Sequence, residues 1–349
     1  MSGRPAVAAI ACGALLAAAA CGPAGGAEAR LTIRKGSPFR EAADSLAAHG
    51  MVRSGRGFAF YAKLRRKDRL LRWGTYVLRQ GMSWEQVLDA LRVGRGIVHS
   101  VTFPEGYPIS QIAPLLADAL DVPADSIRAA VRDTSLLHRL DVPTPTLEGY
   151  LFPDTYVFAD RTTAREAVLT MVERFEQEWK PEWNDRLLVL GMNRHDIVTL
   201  ASIVEMEVRR GEERPVVAAV YLNRLRARMP LQADPTVQYA LGKKPGRVYF
   251  RDLRVNSPYN TYRVAGLPPG PIASPGAASL QAVLYPAKVP YRYFVAHPDG
   301  HHEFRRTYAE HLEAIKMVRA AARADSSRRA AAGADSVRRA TAQRDSIQP

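Results

Sequence analysis

Apolar positions fall first into one unbroken run and then into shorter alternating and helical stretches. The run is PAVAAIACGALLAAAACGPAGGA: after Arg4 no charged residue occurs until Glu28. Gly22, Pro23, Gly25 and Gly26 cut it off from the rest of the chain, so it is expected to be an export or anchoring segment and not part of the fold. RLTIRKGS, Arg30 to Ser37, then alternates like a strand. A helix is predicted from Pro38 to about Ala48, with Ser37 as its N-cap, because Phe39, Ala42, Ala43, Leu46 and Ala47 share one face. A second is predicted from Gly57 to Lys67, with Phe58, Tyr61 and Ala62 on its apolar side. From Trp73 to Gly94 the pattern reads as a strand, a turn at Gly81 and a helix opened by Ser83, with Gln86 completing a capping box.

A strand is predicted from Ile97 to Phe103, then the turn PEGYP, then a helix from Ser110 to Leu120. Residues 124–140, Thr163 to Trp179 and Leu187 to Leu190 also carry a helical pattern, broken at Pro181. Beyond Arg210 the chain turns rich in Pro, Gly and aromatic residues up to about His311, which predicts ordered loops over a scaffold, the usual place for a binding site. Asp325, Asp335 and Asp345 recur every ten residues in a tail almost without large apolar side chains; from Arg319 on, seven arginines against three aspartates leave a charge of +4. Such a segment is expected to be disordered or marginally helical. Four regions result: an anchor and linker over 1–29, a small domain over 30–96, a larger one over 97–318 and a basic tail over 319–349. The fold class predicted is α+β.

Charge and cysteine usage narrow the setting. The formal net charge of +14 suggests an anionic partner, whether nucleic acid, a membrane surface or a carboxylate-bearing polymer, though an arginine-rich surface without that meaning would give the same number. Both cysteines, Cys12 and Cys21, lie in the export segment, so the body has neither a disulfide framework nor a thiolate metal site. LAAAAC followed by Gly22 resembles a bacterial lipoprotein cleavage site, with Ala18 where Leu is usual. The alternative is a single span with Arg4 inside, although Val7 to Cys21 is shorter than the ~20 residues a span needs. Either reading puts the body outside the cytoplasm, in contact with the inner membrane, and disfavours nucleic acid as a partner.

The candidate chemistry lies in TLASIVEMEVRR, Thr199 to Arg210. Placed on a helix, Ile197, Val198, Leu200, Ala201, Ile203, Val204 and Val208 make a wide apolar arc, and both Glu205 and Glu207 fall inside it. A carboxylate there either pairs with an arginine, such as Arg209, Arg210 or Arg214, or serves as an acid whose proton is held by burial. Such an acid can protonate a leaving oxygen, as in sugar cleavage. The spacing does not choose between the two glutamates.

LEGYLFPDTY (Leu147 to Tyr156), ASIVEMEV (Ala201 to Val208), VAAVYLNRLRARMPLQADPTVQYAL (Val217 to Leu241), SPYNTYRVAGLPPGPIASPG (Ser257 to Gly276) and YFVAHPDGHHEF (Tyr293 to Phe304) resemble, in this order, the motifs of the endolytic murein transglycosylase family. The pattern from Tyr76 to Leu91 resembles more weakly a LysM-like glycan-binding module. The resemblance implies a LysM-like domain followed by a mixed α/β catalytic domain that cuts peptidoglycan between MurNAc and GlcNAc. It selects Glu205 as catalytic acid/base: the acid protonates the glycosidic oxygen, and its carboxylate then takes the proton of the muramic C6 hydroxyl as a 1,6-anhydro ring closes. It further implies that Glu148, Asn223, Gln232, Asp234, Thr236 and Asn260 bind sugar hydroxyl and acetamido groups, and that Tyr156, Tyr259 and Tyr262 stack on sugar faces. Asp234 could equally cap a turn and Asn260 order its own loop. Peptidoglycan strands are the implied substrate and peptidoglycan synthases the implied neighbours. A noncatalytic peptidoglycan scaffold and a hydrolytic muramidase with Glu207 or Asp234 as second carboxylate stay open. No cofactor is implied, and His297, His301 and His302, which lack metal-site spacing, are expected in a loop or surface role and not as metal ligands.

Overall fold

The computed structural model describes residues 27–324, apart from positions 35, 70, 73, 95, 244 and 245. The anchor expected over Val7 to Cys21 and the repeats around Asp325, Asp335 and Asp345 lie outside the described residues. The chain divides into two compact units, Met1–Val98 and His99–Pro349. Helices and strands mix in both, as α+β requires.

In the first unit, β1 (Glu28–Ile33) is followed by α1 (Phe39–Ala48), α2 (Gly55–Leu64), β2 (Gly74–Arg79) and α3 (Trp84–Val93), and it ends at the start of β3 (Ile97–Thr102). β1 and β2 are antiparallel in the register Leu31↔Tyr76 and Ile33↔Gly74, and Tyr76 in turn faces Ile97. Alternation therefore sends Leu31, Ile33, Tyr76 and Leu78 to one face, where they pack with Leu46, Phe58, Val87, Leu88 and Leu91 from the helices. The Ser83–Gln86 capping box opens α3 as the pattern predicts. Ser37 does not cap α1. Its amide donates to Arg34 O at 3.1 Å in a turn, and Pro38 takes the cap position with no side-chain bond.

The second unit carries α4 (Ile109–Leu120), α5 (Ala124–Ala130), α6 (Thr134–Arg139), β4 (Thr155–Ala159), α7 (Ala164–Glu178), α8 (Trp183–Leu190), α9 (Arg194–Glu207), α10 (Arg214–Arg226), α11 (Asp234–Ala240), α12 (Ala277–Leu284) and the hairpin β5 (Tyr293–Ala296) and β6 (His302–Arg305). A last helix runs over 308–324, so helix continues past 319, where the tail expected to be disordered or marginally helical begins. The region past Arg210 is likewise more regular than its Pro and Gly content predicts, holding three helices and a hairpin. Among the described residues no single helix is long and apolar enough to cross a membrane.

α9 runs through the middle of the second unit's core. Ile197, Val198, Leu200, Ala201, Ile203 and Val204 are fully buried, and α8, α10, α11 and α12 pack around them. Burying each large aliphatic side chain contributes about 2 kcal/mol, so the helix is fixed in position by its own apolar arc. The polar residues inside that arc are then held in place with it.

Candidate active site

Three inward polar side chains of α9 lace one loop segment along the helix. His195 Nε2 lies 2.9 Å from Pro269 O, Ser202 Oγ accepts from Ile272 N at 3.0 Å, and Glu205 Oε2 accepts from Gly276 N at 3.0 Å. Residues Gly270 to Gly276 are buried, and buried backbone amides need partners, which explains polar groups on a helix otherwise apolar on that side. His195 is itself held by the Tyr150 hydroxyl at 3.0 Å from Nδ1. Gly149 lets this segment approach closely: at φ +84° a Cβ there would lie 2.4 Å from Pro271 Cβ.

Glu205 sits where the last turn of α9 meets this strap. Its side chain is 6% exposed, and Arg214 Nη2 lies 3.2 Å from Oε1 while Gly276 N–H occupies Oε2. Of the two open alternatives for a buried carboxylate, pairing with Arg214 is therefore realised at Glu205. Arg214 is positioned in turn by Ser279 Oγ, 3.1 Å from its Nε. A third charged group completes the cluster. Glu105, from the PEGYP turn, has Oε2 3.7 Å from Arg214 Nη2; partial burial and then the charge of Glu205 push its pKa up, while Arg214 opposes the shift. Nothing in the sequence joins Glu105 to this site, because the turn reads only as a turn.

Glu207 faces elsewhere. It makes no hydrogen bond or ion pair among the described residues. Burial first, and then the negative Asp234, push its pKa up to about 7 against the pull of Arg224. It opens with Asp234 onto a polar cavity of about 650 Å³ that Arg209, Arg247 and His297 also line. Asp234 accepts from the Tyr262 hydroxyl at 2.6 Å, which brings two of the predicted sugar contacts together.

The other predicted residues divide by burial. Tyr156 is a core residue, not a sugar platform: it is 6% exposed, its hydroxyl donates to Phe152 O at 2.6 Å and its ring stacks on Phe158. Thr236 is fully buried and donates to Ala233 O at 2.7 Å, so no sugar reaches it. Asn260 is fully buried too and donates to Leu253 O and Val255 O, both at 2.9 Å, ordering its loop. Asn223 straps α10 to Val289 O and Tyr291 O, each at 2.9 Å. Gln232 is exposed at φ +51° with Oε1 3.4 Å from Arg224. Tyr259 is half-buried against the Tyr239 ring, 4.9 Å away. His297 stacks on His301 at 3.9 Å, while His302 is buried against Glu213 at 2.6 Å.

Glu148 caps a helix. Its Oε1 accepts from Ile109 N at 2.9 Å, at the start of α4, and Oε2 from the Tyr239 hydroxyl at 3.3 Å, beside a cavity of about 740 Å³. Burial pushes its pKa up from 4.5 to about 7 despite these donors. The folded chain therefore keeps, up to about pH 7, a proton that the unfolded chain releases near 4.5. Stability is greatest below this window and falls as pH rises through it, by at most about 3 kcal/mol. Glu148→Gln keeps an acceptor for Ile109 and should flatten part of that slope, leaving the share due to Glu207; urea melts at acid and neutral pH measure it, and an unchanged slope contradicts the assignment.

Glu205 and Glu105 thus share one guanidinium, an arrangement of carboxylates that is chemically able to hold and pass a proton. Comparison with known proteins places the chain more narrowly. It matches the YceG-like family over residues 31–317 and belongs to that family. The endolytic murein transglycosylase of Bacillus subtilis (strain 168) is 33% identical over 299 residues, covering 81% of this chain and 83% of its own. The protein of the same name from Streptococcus pneumoniae (strain D39) is 29% identical over 321 residues, covering 81% of this chain and 58% of its own. The crystal structure of a YceG-like protein from Listeria monocytogenes superposes with a TM-score of 0.61 at 31% identity, over 82% of this chain and 98% of that one.

Proposed function

We propose that this chain is an endolytic murein transglycosylase, cutting peptidoglycan strands between MurNAc and GlcNAc with Glu205 as acid/base. The names of its relatives, at 29% to 33% identity over most of the chain, support the activity. The observation that carries the residue is the placement of Glu205, the first glutamate of IVEME, on the central helix with both oxygens on donors and an arginine beside it. Protonation of the bridging oxygen breaks its bond to C1. Attack by the C6 hydroxyl, with its proton returning to the carboxylate, leaves a 1,6-anhydroMurNAc end.

The order β1, α1, α2, β2 with antiparallel strands supports the first unit as a LysM-like glycan holder. The export-like composition of residues 1–29 supports a lipoprotein or single-span anchor, with the catalytic unit in the periplasm or its extracytoplasmic equivalent beside synthases extending nascent strands. Mass spectrometry of glycan digested by the purified full chain tests the reading. Anhydro ends, lighter by one water than hydrolysed ends, are expected. Hydrated ends would make the enzyme a muramidase, and binding without new ends would make it a scaffold.

A further inference from the structure

The PEGYP turn is fastened to the same loop segment that reaches Glu205. Gly106 N donates to Ser274 O at 2.8 Å and Ser274 N donates to Tyr107 O at 3.0 Å. Gly106, at φ +79°, takes a conformation that L side chains rarely adopt, and it lies close to α9, where a Cβ would come 3.1 Å from Met206 Sδ. Glu105 is thereby laid directly over Gly276: a Cβ on Gly276 would come within 1.9 Å of Glu105 Oε1. The Glu105 side chain is 48% exposed where that of Glu205 is 6% exposed, and the two flank one guanidinium at 3.7 and 3.2 Å. Both oxygens of Glu205 accept from Arg214 and Gly276, and Glu105 is the more exposed of the two carboxylates at this guanidinium.

We propose that Glu105 is a second catalytic carboxylate, holding with Glu205 one proton beside Arg214 and meeting the sugar at the scissile bond. This rests on the transglycosylase reading above. Two carboxylates and one arginine carry a net charge of −1 when both acids are ionised, and one proton neutralises the cluster; close like charges favour that shared state. The raised pKa of the more exposed member has the same direction. The proton leaves the pair through Glu105 to the bridging oxygen, which also takes the electron pair of the breaking C1–O bond. The C6 oxygen bonds to C1, the C6 hydroxyl proton returns to the pair, and the enzyme ends as it began with no water consumed. The groups facing Glu105 are Glu205 from α9, Arg214 from α10 and the Gly276 backbone before α12.

The test uses the full chain with Glu105→Gln, Glu105→Asp and Glu205→Gln, each checked by circular dichroism, and follows anhydro ends across the acid-to-alkaline range. Glu105→Gln is expected to lower kcat about 100-fold with little change in KM, and to lose one limb of the pH profile. Glu105→Asp should recover part of the rate with a displaced limb. Wild-type kcat and an unshifted profile in Glu105→Gln would overturn the proposal; if that variant does not fold, an unshifted profile in Glu105→Asp overturns it equally. Activity retained in Glu205→Gln would instead sink the assignment of Glu205, whatever Glu105 does.

Discussion

Replacing Glu205 by Gln is expected to stop the release of anhydro-ended glycan while leaving the protein folded. The amide has the same shape but cannot hold and return a proton, and loss of a positioned acid/base group lowers the rate by up to about 10⁴-fold. The structural cost is smaller. One oxygen can still accept from Gly276 N or Arg214, now 3.0 and 3.2 Å away, while the amide NH2 faces the other donor. Losing one such bond costs on the order of 1 kcal/mol. Product mass spectrometry beside a thermal melt separates the two effects, and turnover at the wild-type rate would rule Glu205 out.

The largest effect on stability is expected at Arg224→Met. Arg224 is a buried cation on α10, 7% exposed, whose burial pushes its pKa down. Its Nε donates to Arg292 O at 2.7 Å and its Nη1 to Leu231 O at 2.8 Å and Pro230 O at 3.3 Å, and it lies over the Tyr293 ring at 5.2 Å. The guanidinium thus ties α10 to the segment before α11 and to the start of β5. A methionine fills the space but leaves those carbonyls without donors, each costing about 1–3 kcal/mol. A loss of about 4 kcal/mol is a large share of the stability of a typical domain, and should lower Tm by about 10 °C. Calorimetry checks this, and an unmoved Tm would show that the carbonyls find other donors.

Legibility in the sequence depends on how much a side chain signals locally. α9 is legible because its apolar arc is wide and continuous, and the structure buries that arc as patterned. α3 is legible because Ser83 and Gln86 sit at capping distance. α10 is not, because Val217, Ala218, Ala219, Val220, Tyr221 and Leu222 are buried in succession and leave no polar face to set a period. Loop chemistry hid α11 and α12 behind their flanking Pro and Gly residues.

In the site, sequence pattern found the helix that carries the carboxylates but not their surroundings. Helical geometry put Glu205 and Glu207 in the same arc without separating their surroundings. The structure separates them: Glu205 holds an arginine, and Glu207 makes no hydrogen bond or ion pair among the described residues. Partners distant in sequence decide such matters. Asn223 meets Val289 and Tyr291, and Glu105 meets Arg214, across separations that no local spacing encodes.

The lacing of the loop to α9 makes the setting of Glu205 depend on how the loop is registered along the helix. From His195 to Glu205 the helix rises about 15 Å, and the chain from Pro269 to Gly276 must cover the same interval, with an intermediate tie at Ile272. Deleting one residue between Ile272 and Gly276 would leave chain enough to span the interval but would shift which amide meets Glu205 and which backbone meets the PEGYP turn. The residue count of a proline-rich loop, with no ionisable side chain of its own, therefore sets the register in which Glu205 and the turn carrying Glu105 are brought together.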